Sequence, residues 1–285
     1  IVSEDDTTYG AWNDCPAPTA ARILTDAPQN GGADASVWEF TAPSDGVYTL
    51  TVQGAETGAL YDTTDVLPKA GREGTMLQRG FYLEAGETAL FCVQAEASYT
   101  VEVTRAQEIG LCSPVRFNAA FTGYERFFSF TAPAAGSYVF HAAGESGWLY
   151  KLGENAVWEL YRHFSASRPD SGVSLTLEKG QRVYFRIAYT AIGSYSFAVS
   201  RPAPEVSVSD EGVNVSYDPE FTGLHLIALY DADGRMVDVQ YVPVQSLDTR
   251  ISVVLRGTKT GFVRVFQLDA EKNTPLTAAK QIELV

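Results

Sequence analysis

Two nearly identical stretches decide the fold of this chain: FTAPSDGVYTL at residues 40–50 and FTAPAAGSYVF at residues 130–140. Each has an Ala-Pro pair at its third and fourth positions, and glycine follows three residues after the proline. Proline fixes one backbone angle and glycine accepts positive φ, so the Ala-Pro-x-x-Gly half of each stretch predicts a turn. In the other half, large apolar residues alternate with smaller ones. Alternation with a period of two predicts a β-strand with one buried face.

The similarity continues beyond these stretches. Leu60-Tyr61 corresponds to Leu149-Tyr150, the Leu-x-x-Gly at residues 83–86 to that at 177–180, and the alternating segment 99–103 to 195–199. Short strands separated by turn signals are typical of β-sandwiches. We therefore predict two copies of one β-sandwich module, at residues 1–105, with a polar leader at 1–14, and at residues 106–202.

The pattern changes after the proline-rich linker at residues 201–204. Short alternating segments follow, with turn signals at residues 210–212 and 231–234, and they predict a third β-sandwich at residues 203–285. In one of these segments Leu226, Ala228 and Tyr230 are predicted to form the buried face, which would place His225 on the outside. His141 is predicted to face outward in the second module for the same reason.

The order of motifs in the two repeats resembles the bacterial pre-peptidase C-terminal domain and its jelly-roll relatives, over residues 36–104 and 124–200. Residues 230–237, YDADGRMV, with VRVFQLD at 263–269, resemble a small immunoglobulin-like module of exported proteins of Gram-positive gut bacteria. These resemblances imply an all-β fold with two tandem jelly-roll-like β-sandwiches and a C-terminal immunoglobulin-like β-sandwich. Some jelly-roll relatives bind calcium beside an Asp where this chain has Ala59 and Trp148, so we expect no metal and no cofactor.

Composition excludes several classes of partner. The chain of 285 residues has a net charge of −14 and a pI of about 4.6, which argues against nucleic acid, because a polyanion needs a basic face. No apolar run approaches the roughly 20 residues of a membrane-spanning helix, so we expect no membrane insertion. The polar start, without Met or a signal peptide, predicts a mature exported protein that is secreted or held at the cell surface.

The three cysteines are Cys15, Cys92 and Cys112, and none has the spacing of a zinc or redox site. Cys92 lies in an apolar run and is predicted to be a buried, small hydrophobic residue. A Cys15–Cys112 bridge stays open, because sequence alone does not give disulfide connectivity.

The second module contains an aromatic stretch, residues 147–164, that the first module lacks. Aromatic rings beside charged groups can bind a sugar, because the apolar sugar face stacks on a ring while polar groups bind the hydroxyls. We therefore predict a ligand-binding site for a glycan or for a host or cell-wall surface at Trp148, Tyr150, Trp158, Tyr161 and His163. The alternative is that these rings fill the core or cap an interface between modules.

Catalytic signals are weak. No two of the three histidines have the spacing of metal ligands, and Asp231-x-Asp233-Gly234 is explained by a hairpin turn better than by a calcium loop. We predict a non-catalytic extracellular binding or adhesion protein. The alternatives are spacer modules of a larger exported protein, or accessory domains of a secreted hydrolase. An enzyme whose carboxylates are brought together only by folding is a third hypothesis.

Overall fold

The computed structural model describes residues 9–11, 21–25, 27–33, 36–54, 58–62, 72–73, 76–95, 97–120, 125–153, 157–167, 172–209, 212–217, 223–244, 250–257, 260–269, 273–277 and 279–284. Every regular element in this part of the chain is a β-strand, and the sheets pack as sandwiches. The predicted all-β class is therefore confirmed. Most of the polar leader and Cys15 lie outside the described residues.

The first sandwich consists of sheet A, in the order β1-β6-β9-β4-β2, and sheet B, in the order β3-β10-β5-β8-β7. Its strands are β1 (Tyr9–Ala11), β2 (Ala21–Ile23), β3 (Gln29–Gly31), β4 (Ser36–Thr41), β5 (Gly46–Gln53), β6 (Gly58–Asp62), β7 (Arg72–Glu73), β8 (Met76–Leu83), β9 (Thr88–Ala95) and β10 (Tyr99–Arg105). Buried side chains from both sheets, such as Trp38 and Leu50, form one core.

The second sandwich consists of sheet C, in the order β11-β13-β18-β15-β16, and sheet D, in the order β12-β19-β14-β17. Its strands are β11 (Gln107–Glu108), β12 (Val115–Ala119), β13 (Glu125–Thr131), β14 (Gly136–Gly144), β15 (Ser146–Leu152), β16 (Trp158–Ser165), β17 (Val173–Leu177), β18 (Arg182–Tyr189) and β19 (Gly193–Ser200). Its core is rich in phenylalanine, with Phe130 and Phe140 contributed by the two sheets.

The third sandwich consists of sheet E, in the order β20-β21-β24, and sheet F, in the order β23-β22-β25-β26. Its strands are β20 (Glu205–Ser209), β21 (Gly212–Ser216), β22 (Leu224–Tyr230), β23 (Met236–Pro243), β24 (Arg250–Val253), β25 (Gly261–Leu268) and β26 (Lys280–Leu284). Among the described residues its core is mainly aliphatic, with Val213 from sheet E and Ile227 from sheet F.

The repeated sequence forms the same local structure in both copies. Each Ala-Pro turn leads into a strand, β5 or β14, whose first tyrosine is buried. The hydroxyl of Tyr48 donates to the carbonyl of Ser44 at 2.5 Å, and the hydroxyl of Tyr138 donates to the carbonyl of Ala134 at 2.6 Å. The tyrosine therefore ties the strand to its own turn, which explains why both copies keep Gly-x-Tyr after the Ala-Pro signal.

The Leu-x-x-Gly segments also form matching turns. The amide of Gly86 donates to the carbonyl of Ala42 at 2.8 Å, and the amide of Gly180 donates to the carbonyl of Ala132 at the same distance. The two glycines have φ of 80° and 82°. That conformation is open to glycine at little steric cost, so the glycine is dictated by the turn. Two turns that are distant in sequence are thus joined in each sandwich.

The strand β22 differs from the sequence prediction. Ile227 and Leu229 lie in the core and His225 is fully buried on the same face, whereas Leu226 is only half-buried. The predicted outward position of His225 is therefore wrong. The physical reason is that β22 lies between β23 and β25 and carries apolar residues on both faces. Alternation then has two acceptable phases, and the hydrophobic pattern does not choose between them.

A buried arginine fixes the start of the linker to the third sandwich. The backbone amide of Arg201 donates to the carbonyl of Leu276 at 2.9 Å, and its Nη2 donates to the carbonyl of Ala135 at 3.1 Å. The guanidinium lies 4.5 Å from the centroid of the Tyr138 ring. One residue therefore binds both the second and the third sandwich, and it connects them through hydrogen bonds as well as through the chain.

Candidate functional site

The predicted aromatic stretch forms a β-hairpin at the edge of sheet C. β15 pairs with β16, which is the outermost strand, and Trp148 lies opposite His163. The register shifts in the middle of the hairpin, so that Tyr161 of β16 has no partner on β15. Such a bulge changes the direction of the side chains around it. The five predicted residues therefore lie on one hairpin, but their side chains have different surroundings.

Trp148 and His163 form a solvent-accessible corner. Their rings are in edge-to-face contact with centroids 4.6 Å apart, Trp148 being half-buried and His163 exposed. Nε2 of His163 lies 3.5 Å from Oγ of Ser146, and the hydroxyl of Thr190 donates to that same Oγ at 2.9 Å. An aromatic surface thus lies beside three hydrogen-bonding groups. We call these four residues the Trp148 corner.

Tyr161 lies at the bulge and is half-buried. Nζ of Lys151 is 5.8 Å from the centroid of its ring, close to the outer limit of about 6 Å for a cation–π contact. The neighbouring Arg162 donates to the carbonyl of Gly172 at 3.0 Å. The charged side chains of Lys151 and Arg162, both within the aromatic stretch, therefore already have contacts within the protein.

Tyr150 and Trp158 surround a buried arginine. The guanidinium carbon of Arg186, on β18, lies 3.9 Å from the Tyr150 ring centroid and 5.5 Å from the Trp158 ring centroid. Both rings are half-buried, and the indole nitrogen of Trp158 is buried without a hydrogen-bond partner among the described residues. Because Arg186 already contacts both rings, these two residues are poorly placed to stack on a sugar.

Arg186 is paired with a buried carboxylate. Its Nη1 lies 3.0 Å from Oε1 of Glu125, and the two side chains are only 6% and 11% exposed. A buried charge is tolerated in a protein when it is paired and hydrogen-bonded. The ion pair and the two rings together form a compact layer on the outer face of sheet C.

This layer continues into a hydrophobic joint between the first two sandwiches. Val47 of β5 packs with Phe127 of β13 and Tyr184 of β18, and Trp158 packs against this cluster and against the core of the first sandwich. A Cβ added to Gly80 of β8 would lie 2.2 Å from the Phe127 ring. Glycine is therefore required there for the close approach of the two sandwiches. The outer faces of sheets B and C are thus packed against each other.

Polar contacts complete the joint. The amide of Glu125 donates to Oε1 of Gln78 at 3.2 Å, and the hydroxyl of Tyr184 donates to the carbonyl of Asp45 at 3.3 Å. The rings of Tyr82 and Tyr184 meet edge to face at 6.0 Å. Burial, with a smaller contribution from Tyr184, raises the pKa of Tyr82 above its ordinary value. Both sandwiches contribute hydrogen bonds, so the joint has a defined orientation.

The structure therefore divides the predicted site into two parts. Trp148 and His163 belong to an accessible corner, whereas Tyr150 and Trp158 belong to the joint. Sequence reasoning missed Glu125 and Arg186 because they come from β13 and β18, far from the aromatic stretch in sequence. The signal that could have identified them is that both are charged residues in strands that are otherwise mainly apolar.

The other two histidines, His141 and His225, contact side chains of their own sandwiches. His141 is half-buried on sheet D, and its Nε2 lies 3.3 Å from Oγ of Ser200. The ring of His225 packs against Tyr217 with centroids 4.6 Å apart. Burial lowers the pKa of His225 from 6.5 to about 4. His225 is therefore neutral at physiological pH.

The Asp231 turn uses its carboxylate internally. Oδ1 of Asp231 accepts hydrogen bonds from the amides of Asp233 and Arg235 at 3.0 and 2.9 Å, and Gly234 has φ of 79°. These contacts close the hairpin between β22 and β23. Within the ranges that the structure describes, no group of three or more His, Cys, Asp or Glu side chains could hold a metal ion.

The cysteines correct one prediction. Cys92 is fully buried, as expected, but it is disulfide-bonded, whereas Cys112 carries a free thiol. The Cys15–Cys112 bridge, which the sequence left open, is therefore excluded. Burial raises the pKa of the Cys112 thiol to about 11, which keeps it protonated at neutral pH. Cys92 was misassigned because an apolar strand surrounds it, and that setting does not distinguish a buried thiol from a buried disulfide.

No helix among the described residues is long and apolar enough to cross a membrane. No protein-family model matches the chain, and neither does any curated protein.

Proposed function

We propose that this chain is a rigid, non-catalytic arm of an exported bacterial protein, in which tandem sandwiches hold a binding surface at a fixed position. The joint between the first two sandwiches is the observation that carries this proposal. Domains joined flexibly have small, polar contacts, whereas this joint contains a hydrophobic cluster and a desolvated ion pair. The hydrogen bonds of Arg201 likewise connect the second sandwich to the third.

Two further observations support export. The disulfide at Cys92 is typical of oxidising compartments, and the resemblance to modules of secreted and surface proteins points in the same direction. An arm at a cell surface serves adhesion to a host or to the cell wall, and the same architecture would suit accessory domains of a secreted hydrolase. The acidic composition, with a net charge of −14, favours solubility outside the cell.

Spin-label distance measurements test the rigidity directly. In a Cys112→Ser background, labels at the exposed positions Thr100 and Lys179 report the separation of the first two sandwiches. We expect a narrow distribution of distances for the full chain. Gly80→Leu should broaden it, because the new side chain would collide with Phe127.

Gly32→Leu is the matched control, since a Cβ at Gly32 meets no atom within 4 Å. It should leave the distribution narrow. A broad distribution in the unsubstituted chain would refute the rigid arm.

A second candidate function is glycan binding at the Trp148 corner. The specific observation is an accessible tryptophan edge beside the groups of Ser146, His163 and Thr190. Sugar sites commonly combine such a ring with a few placed polar groups. A glycan-array screen with Trp148→Ala tests it, because this change leaves the joint intact. Unchanged binding by the variant would remove the corner from consideration.

A further inference from the structure

A concavity lies on sheet D of the second sandwich, on the side of the molecule away from the joint on sheet C. It is open to solvent and has a volume of ≈ 550 Å³. This volume is within the range of about 300–1,000 Å³ that is usual for small-molecule sites. The side chains that decide its chemistry are those of Arg116 and Asn118 on β12 and of Ser194 and Ser196 on β19. Phe117 and Tyr195, which alternate with them, are buried in the core beneath.

The strand register places its polar groups on one face. Arg116 lies opposite Ser196, and Asn118 lies opposite Ser194. The hydroxyl of Ser194 donates to Oδ1 of Asn118 at 2.9 Å. Because the amide oxygen is used in this bond, the amide NH₂ of Asn118 remains a donor for a ligand. The small serines on the inner strand leave room above the sheet.

Arg116 supplies the charge. Its side chain is exposed and forms no hydrogen bond or ion pair with the part of the chain that the structure describes. A guanidinium binds a carboxylate through two parallel hydrogen bonds, with both geometric specificity and strength.

The first sandwich differs at the matching described positions, which makes it an internal comparison. At the matching positions of β3 the first sandwich has Asn30 and Gly31, and Gly31 lies opposite Tyr99 as Phe117 lies opposite Tyr195. The Tyr99 ring covers Gly31 so closely that an added Cβ would be 2.0 Å from it. In the second sandwich the Phe117 and Tyr195 rings stack instead, with centroids 5.7 Å apart. The repeats therefore diverge at Arg116, where the first sandwich has Asn30, and at the core residue next to it.

We propose that this concavity binds a saccharide that carries a carboxylate. Arg116 binds the carboxylate, and the Asn118 amide and the serine hydroxyls bind the sugar hydroxyls. The site lies on a different sheet from the joint, so it goes beyond the rigid arm and does not depend on it. It is also separate in its residues from the Trp148 corner.

The experiment uses the full chain and two pairs of probes measured by isothermal titration calorimetry and by NMR titration. The pairs are 3′-sialyllactose with its methyl ester, and trigalacturonic acid with its methyl ester. Each pair keeps the sugar framework while one member lacks the charge. We expect saturable binding of at least one acidic member, and binding at least about tenfold weaker by its uncharged partner and by Arg116→Gln, because a charged hydrogen bond is lost.

Arg250→Gln is the matched control, since it removes the same charge from an exposed position on β24. It should bind as the unsubstituted chain does, and so should Trp148→Ala. The proposal is overturned if neither acid binds, if the neutral probes bind equally well, or if Arg116→Gln retains full affinity. Loss of binding in Trp148→Ala alone would move the site to the Trp148 corner. The spin-label result is independent, so failure here leaves the rigid arm standing.

Discussion

The Glu125–Arg186 ion pair gives the sharpest prediction for stability. In Glu125→Gln the shape of the side chain is kept, but Arg186 stays buried, at 6% exposure, without a counter-charge. Removing one partner of a buried ion pair costs about 3–5 kcal/mol. The rings of Tyr150 and Trp158 still contact the guanidinium, and glutamine keeps one acceptor, so the lower end applies. We expect a loss of about 3 kcal/mol in the free energy of unfolding of the second sandwich.

Differential scanning calorimetry is the assay, with amide hydrogen exchange on β13 and β18 to identify the transition of the second sandwich. For a domain of this size, 1 kcal/mol lowers the Tm by about 4–8 °C, so the expected fall is at least about 12 °C. The control is Glu108→Gln, because Glu108 lies 4.0 Å from Arg182 and the two side chains are 51% and 41% exposed. An exposed pair contributes about 0–1 kcal/mol.

A double variant separates charge from packing. Glu125→Leu combined with Arg186→Met removes both charges, and replacement of a buried pair by apolar residues is often close to neutral. We expect it to be more stable than Glu125→Gln. If Glu125→Gln costs less than about 1 kcal/mol, the pair is not desolvated in solution and the reasoning about the joint fails.

Three further predictions concern other parts of the chain. His225 should make the third sandwich less stable in acid. In the unfolded chain the imidazole takes up a proton below pH 6.5, whereas in the folded state it does so only near pH 4. The free energy of unfolding should therefore fall by about 3 kcal/mol as the pH is lowered through this window. Urea titrations at pH 7 and pH 4 measure this, and an equal loss in His225→Phe would contradict it. Reduction of the disulfide at Cys92 should lower the stability of the first sandwich by about 2–5 kcal/mol, measured by thermal melting with and without reductant; no change would contradict this. Gly31→Ala should destabilise the first sandwich by more than about 1 kcal/mol, because the new Cβ would be 2.0 Å from the Tyr99 ring, whereas Gly32→Ala should not; equal melting of the two variants would count against it.

The repeated turns could be predicted from the sequence because their chemistry is local. Proline, glycine and the buried tyrosine lie within a few residues of each other, and the hydrogen bonds of Tyr48 and Tyr138 confirm the strand and turn that they predict. The phase of β22 could not be predicted, because both of its faces are apolar and only its neighbours in space decide which one is buried. His225 was misplaced for this reason.

The aromatic stretch shows the same limit at a larger scale. The sequence places the five predicted residues within one short segment, yet the strand pairing sends Trp158 into the joint and leaves His163 in solvent. The deciding partners are Arg186 and Phe127, which come from other strands. The sequence shows that the stretch is unusually rich in aromatic residues, but only the packing of the sheets shows that the first sandwich covers part of it.

The arginines that end the two repeats have a mechanical consequence. Nη2 of Arg105 donates to the carbonyl of Asp45 at 2.8 Å, as Nη2 of Arg201 does to the carbonyl of Ala135. Each guanidinium therefore fastens the end of the closing strand to the Ala-Pro turn that precedes β5 or β14. When the chain is pulled from its C-terminal side, tension on each repeat reaches this fastening together with the end of the sheet ladder, because Arg105 is the last residue of β10 and Arg201 directly follows β19. The load is then shared with the turn, and the last strand does not peel from the sheet one hydrogen bond at a time.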